Sequence, residues 1–177
     1  KKQMKRSRKI VYIGLLVSQA LVLHIFENMI PVPFVTPGAK LGLANLVTVL
    51  ALYTLSKKEA LLVLFLRLTL GSIFGGSLSA FMYSAAGGIL SFLSMVFIKE
   101  VFKDKISIIG VSASGAVFHN IGQILVASAI VHNIGVTLYL PVLSIVGIVT
   151  GIFIGITSNY LVEHLKKIPY FKQVTWG

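Results

Sequence analysis

Residues 41–55 read LGLANLVTVLALYTL, an apolar run bracketed by Lys40 on one side and by Lys57 and Lys58 on the other. It is shorter than the roughly 20 residues that a helix needs to cross a bilayer, yet far too apolar for a connecting loop. Whether it counts as a crossing decides the fold, because it sets the parity of the whole chain.

Five other apolar runs flank it: Ile10–Ile30, closed by Pro31 and Pro33; Ala60 to about Ser77; about Ser79 to Ile98, after a GGSLS break; about Ile108–Val131; and about Leu140–Leu161. Counting 41–55 makes six crossings. The basic residues then sort cleanly. Lys1, Lys2, Lys5, Arg6, Arg8 and Lys9 precede the first run, and Lys57 and Lys58 separate the second from the third. Lys99, Lys103 and Lys105 separate the fourth from the fifth, and Lys166, Lys167 and Lys172 follow the sixth. Those are alternate connections, so all of them fall on one side. The positive-inside rule makes that side the cytoplasm, with both termini inside. An odd number of crossings would scatter them.

Composition agrees. Of 177 residues, 56% are hydrophobic and 12% are charged, against about a quarter charged in soluble domains. The sequence therefore predicts an all-α integral membrane protein, a compact bundle of six transmembrane helices over residues 10–165. A basic cytoplasmic tail, 1–9, precedes it and a cytoplasmic tail, 166–177, follows. The first run is about 21 residues long and leads into PVPFVTPG rather than a small-residue cleavage site. It reads as a retained span rather than a signal peptide.

The net charge of +11 is explained by orientation and by contact with anionic headgroups; nothing resembles a nucleic-acid-binding module. The absence of cysteine excludes disulfides and thiolate chemistry. No GxxxxGK[ST] sequence occurs, so any ATP hydrolysis falls to a partner. No metal site is expected, because the histidines lack the paired spacing of a zinc helix, and no cofactor is implied.

Two positive charges escape the topological explanation, Lys40 and Arg67. Lys40 follows a Pro37–Gly38 turn at the outer end of the second run. Arg67 lies about 10 Å into the third, where an unpartnered arginine costs at least about 2.5 kcal/mol. The first run carries His24, Glu27 and Asn28 on one helical face, the second carries Asn45, and the fifth carries His119, Asn120 and Gln123. His119 and Gln123 project together, with Asn120 about 100° away. Such groups commonly join helices by hydrogen bonds. As an ensemble they describe an outward-opening site. Lys40 and Arg67 neutralise charge on an anionic small molecule, and Asn45, His119, Asn120 and Gln123 supply directional hydrogen bonds. Glu27 pairs with Lys40 or holds a ligand donor. Small residues form a second pattern: Gly147, Gly151 and Gly155 in the sixth run, and Gly14 and Ser18 in the first. Either internal packing or docking to another membrane protein explains them.

Four blocks, PGAKLGLAN at 37–45, YSAAGGILSFLSM at 83–95, GVSASGAVFHNIGQ at 110–123 and LPVLSIVGIVTGIFIG at 140–155, resemble the Gx transporter family, also described as heptaprenyl diphosphate synthase component I. That family is similar in size and span number to the substrate-binding S components of energy-coupling factor (ECF) transporters. The resemblance implies a multi-pass protein of a prokaryotic cell membrane. It also implies a transmembrane coupling subunit and two ABC ATPases as partners, and a first helix whose small residues, here Gly14 and Ser18, meet the coupling subunit. The older description implies an enzyme, but prenyl diphosphate synthases hold Mg²⁺ on clustered aspartates, and this chain has one aspartate, Asp104. It is therefore not expected to be catalytic. An isoprenoid- or quinone-precursor-related anion suits both descriptions. The alternative is a non-catalytic membrane subunit associated with prenyl diphosphate synthesis.

Overall fold

Backbone N–H and C=O groups in hydrocarbon must find partners within their own segment, which turns apolar runs into helices. The computed structural model, which describes residues 6–29, 41–75, 77–168 and 171, is helical with no strand among those residues. The α-helices are α1 (Arg6–Met29), α2 (Asn45–Thr54), α3 (Lys57–Gly75), α4 (Leu78–Phe102), α5 (Ile108–Val131) and α6 (Leu140–Lys167). Short 3-10 turns at Lys103–Lys105 and Ile134–Tyr139 precede α5 and α6.

Each expected run holds a helix, and four of them continue further than apolarity suggested. α1 starts at Arg6 rather than Ile10, α3 starts at Lys57 rather than Ala60, α4 runs on to Phe102, and α6 runs on to Lys167. Apolarity marks only the lipid-facing part of a helix. The hydrogen-bond ladder continues into the headgroup region, carrying lysines whose stems stay in apolar surroundings. Ser77 and Ser107 start α4 and α5 by accepting from the backbone N–H of Ala80 and Gly110, each at 3.2 Å.

Among the described residues, four segments are long and apolar enough to cross a membrane: Ser7–Glu27, Leu78–Phe102, Ile108–Val131 and Ile134–Lys167. The chain is thus a multi-pass membrane protein. α3 is long enough, but it includes Lys57, Lys58, Glu59 and Arg67. α2 is apolar, but its 10 residues span only about 15 Å.

That short helix is the centre of the fold. It touches all five other helices, and every residue in it except Leu46 is buried. α5 lies between α4 and α6 in one tightly packed layer, while α1 packs on α2 and α3. Close approach within the layer depends on glycine: a Cβ added at Gly122 would sit 2.6 Å from the carbonyl oxygen of Ala86 on α4. Outside, Phe65, Phe97 and Phe153 are 64%, 63% and 67% exposed, whereas Thr48, Ser91 and Ser158 are wholly buried. That inversion suits lipid rather than water as the surrounding solvent.

Contacts along the helices fix their relative heights. Tyr12 donates to the Thr54 hydroxyl at 3.0 Å, and fifteen residues further along α1 Glu27 meets Gly42 and Leu43. α2 and its lead-in therefore run antiparallel to α1 over nearly its whole depth. At the Tyr12 end Lys9 pairs with Glu59 at 2.7 Å, Lys57 pairs with Glu100, and Lys99 reaches the carbonyl of Leu52 at 2.9 Å. The described lysines of α1, α3, α4 and their connections thus gather at one end, here called the basic end.

Candidate functional site

Away from the basic end lies a cluster of buried polar side chains. Glu27, near the end of α1, is 3% exposed. Its Oε1 accepts the backbone N–H of Gly42 and also that of Leu43, the latter at 3.0 Å. The turn that offers both donors needs a glycine. Gly42 has φ +85°, and a Cβ there would stand 3.2 Å from the His119 ring. L-residues resist that backbone region, so the sequence Gly42-Leu43 is what lets the chain bend over the carboxylate.

Arg67 on α3 enters the same region. Its Nη2 donates to Asn45 Oδ1 at 3.1 Å, and Asn45 Nδ2 donates onward to Ser91 Oγ on α4 at 3.0 Å. One chain of side-chain hydrogen bonds thereby joins α3, α2 and α4. Gly88 makes room for the guanidinium, since a Cβ there would lie 3.3 Å from Nη2. Gly87 does the same for His119, whose ring would lie 2.8 Å from its Cβ. His119 Nε2 lies 2.6 Å from the Gln123 side-chain nitrogen one turn along α5.

Glu27, Arg67, His119, His24 and Ser84 line one internal cavity of about 10 Å³, the room that a single water molecule needs. A second cavity of the same size, lined by His24, Leu68, Gly71 and Ser84, adjoins it between α1, α3 and α4. Among the described residues, Arg67 Nε and Ser84 Oγ have no hydrogen-bond partner. Buried donors in that position carry a desolvation penalty of about 1–3 kcal/mol. The cavity therefore combines an opposed pair of charges, a histidine and unsatisfied polar capacity.

Of the residues read from sequence, Glu27, Asn45, Arg67, His119 and Gln123 come together here. Asn120 turns away: its Nδ2 donates to the carbonyl of Leu143 at 2.6 Å, beside Gly147, and so ties α5 to α6. Lys40 lies outside the described residues. Gly147 faces Ala116 and Asn120, Gly151 faces Ala113 and Gly155 faces Ile109, so all three glycines turn toward α5. Gly14 and Ser18 point outward, with nothing within 4 Å of a Cβ at Gly14 and the Ser18 hydroxyl bonded to the Gly14 carbonyl at 2.9 Å. Among the described residues no group of three or more histidine or acidic side chains is placed to hold a metal.

Sequence reading passed over Gly42, Ser84, Gly87, Gly88 and Ser91. Four of them occupy one small, polar face of α4, and the spacing 84, 87, 88, 91 within YSAAGGILS displays it. A family model described as heptaprenyl diphosphate synthase component I matches residues 16–161, a span that contains the entire cluster. No curated protein and no solved structure matches the chain.

Proposed function

We propose that this chain, which belongs to the heptaprenyl diphosphate synthase component I family, is a non-catalytic membrane subunit that binds a small, anionic or anion-headed molecule at the Glu27–Arg67 cavity. The observation that carries the reading is Arg67. It is a guanidinium, 7% exposed, inside an apolar bundle, with one nitrogen unpartnered and a polar cavity at its side. Ionisable groups at such depth mark ligand or ion sites more often than they serve as scaffolding.

The cavity admits a larger guest only if helices part. The two adjoining cavities mark where, along the seam of α1 and α3 against α4. Among the described residues the backbone of α1 packs on α2 and α3 and not on α4, α5 or α6, so the seam opens without breaking the tightly packed layer. Glu27 serves as the internal counter-ion of Arg67 until an anionic ligand takes that place.

On this reading the subunit works as an S component of an ECF-type transporter. Six helices cross or enter the bilayer, the basic end lies in the cytoplasm, and substrate arrives at the Glu27 end. A coupling subunit and two ABC ATPases supply the energy. The family description supports a second reading, a membrane subunit that serves prenyl diphosphate synthesis by holding an isoprenoid for a soluble partner.

Native mass spectrometry of the gently solubilised full chain tests the binding role. Wild type is expected to retain a small molecule that His119→Ala and Arg67→Gln release. An empty wild-type protein, or equal retention by all three, overturns it. Co-purification separates the two readings: an ATPase pair with a coupling protein supports transport, and a prenyltransferase supports the second.

A further inference from the structure

At the basic end, remote from the Glu27 cluster, a cavity of about 840 Å³ opens where α2, α3, α4, α5 and α6 come together. That is within the roughly 300–1,000 Å³ of small-molecule sites. Four lysines line it, Lys57, Lys99, Lys103 and Lys166, against one carboxylate, Glu100. That carboxylate is held by Lys57. Orientation in the membrane requires only that lysines lie on one side. It does not require four of them, from three helices and a connecting turn, to surround one concavity.

Lys99 is the most sheltered of the four. Its ammonium donates to the Leu52 carbonyl at 2.9 Å and stands 4.0 Å from the centre of the Tyr53 ring. An ammonium has three donors, so this fixed group still has one to offer to a guest. Ile106, Ile108 and Val162 supply apolar wall beside the charges. A phosphate monoester brings about two negative charges and three acceptor oxygens, and the phosphodiester of an anionic phospholipid brings one charge and two such oxygens, so either can meet ammonium donors offered from several elements at once.

We infer that this cavity binds a phosphate-bearing amphiphile, with its phosphate among Lys99, Lys103 and Lys166 and its apolar part along Ile106, Ile108 and Val162. The phosphate belongs either to a bilayer phospholipid or to a soluble organic phosphate, and the two sources are separable by experiment. The site stands apart from the Glu27–Arg67 cavity and does not depend on the role proposed for that cavity.

The test uses the full chain in phosphatidylcholine nanodiscs. One arm adds phosphatidylglycerol and measures the lipid retained after purification. The other adds inorganic diphosphate and measures the thermal shift. Wild type is expected to respond in at least one arm, and the responding arm identifies the source. The pair Lys103→Gln with Lys166→Gln is expected to lose about tenfold or more in affinity. The charge-matched pair Lys58→Gln with Lys167→Gln, exposed at the same end and outside the cavity, stays within about twofold of wild type if the site is discrete rather than a surface field. Glu100→Gln, which removes the cavity's carboxylate, is expected to tighten binding, an outcome that misfolding cannot imitate. The inference is overturned by no response in either arm, or by equal losses in the two lysine pairs.

Discussion

Arg67 donates to Asn45 across 3.1 Å, and through that bond the third helix is fastened to the buried central one. Asn45 uses its amide nitrogen on Ser91, so both ends of the side chain are occupied. A network of this kind is worth more whole than in parts, because each broken link leaves a buried polar group with no water to turn to.

Removing the guanidinium should therefore expose a debt elsewhere. Arg67→Met leaves the Asn45 Oδ1 acceptor without its donor and removes the guanidinium charge that attracts Glu27, and destabilisation of about 3 kcal/mol is expected from unfolding in mild detergent. Adding Glu27→Gln to it should recover part of that loss, since neither charge then remains. A strictly additive double mutant would show that the two residues do not interact.

Gly42 allows a sharper test of local geometry. Gly42→Ala places a Cβ in the left-handed region at φ +85° and against the His119 ring. A cost of about 1–2 kcal/mol follows from the backbone alone. An unchanged melting temperature would mean that the turn over Glu27 is not held as described.

Alanine at two helical glycines should act in opposite directions. Gly151→Ala drives a Cβ to 2.6 Å from Ala113 Cα and should lower the melting temperature clearly, whereas Gly14→Ala meets nothing within 4 Å and should gain up to about 1 kcal/mol of helix propensity. If Gly14→Ala instead leaves the fold intact and abolishes co-purification of a membrane partner, the open Gly14–Ser18 surface is the docking face.

Topology is directly measurable because the chain contains no cysteine. Single variants Lys58→Cys and Lys105→Cys should react with an impermeant maleimide only in opened vesicles, and Asn133→Cys should react in intact cells. Labelling of Lys58→Cys and Lys105→Cys from opposite sides would refute the six-crossing arrangement.

The Lys9–Glu59 pair makes stability dependent on pH at the basic end. Burial raises the Glu59 carboxyl, but the hydrogen bonds from Lys9 and Ser56 outweigh it and bring it below its ordinary 4.5. A carboxyl depressed by folding stabilises the protein fully above its unfolded value, and that contribution fades as pH falls below about 4.5 toward the folded value. Glu59→Gln should flatten this part of the stability–pH curve without altering stability near neutrality by much, given the exposure of the pair.

What could be read from sequence follows from what makes a residue conspicuous. Apolar runs announced the helices, and charges inside them announced Glu27, Arg67 and His119, because each breaks an otherwise uniform composition. The partners of those charges were inconspicuous. Ser91 lies 46 residues from Asn45, and Gly87 and Gly88 matter only for the space they leave. His119 and Asn120 are adjacent and equally polar, yet one faces α4 and the other α6. A rotation of about 100° separates them, and periodicity alone does not say which neighbour lies at which angle. The glycine run of α6 likewise fixed a face but not its occupant.

α2, enclosed by five other helices, leaves only Leu46 partly uncovered. A bilayer alone gives such a segment little reason to stay, since its ten residues do not reach across the hydrocarbon. Its residence is conferred by the company it keeps. During synthesis it has to be retained as a hairpin with α3 until α4, α5 and α6 arrive to close around it. Truncating the chain before α6 should consequently release α2 from the membrane first, while α1 remains anchored.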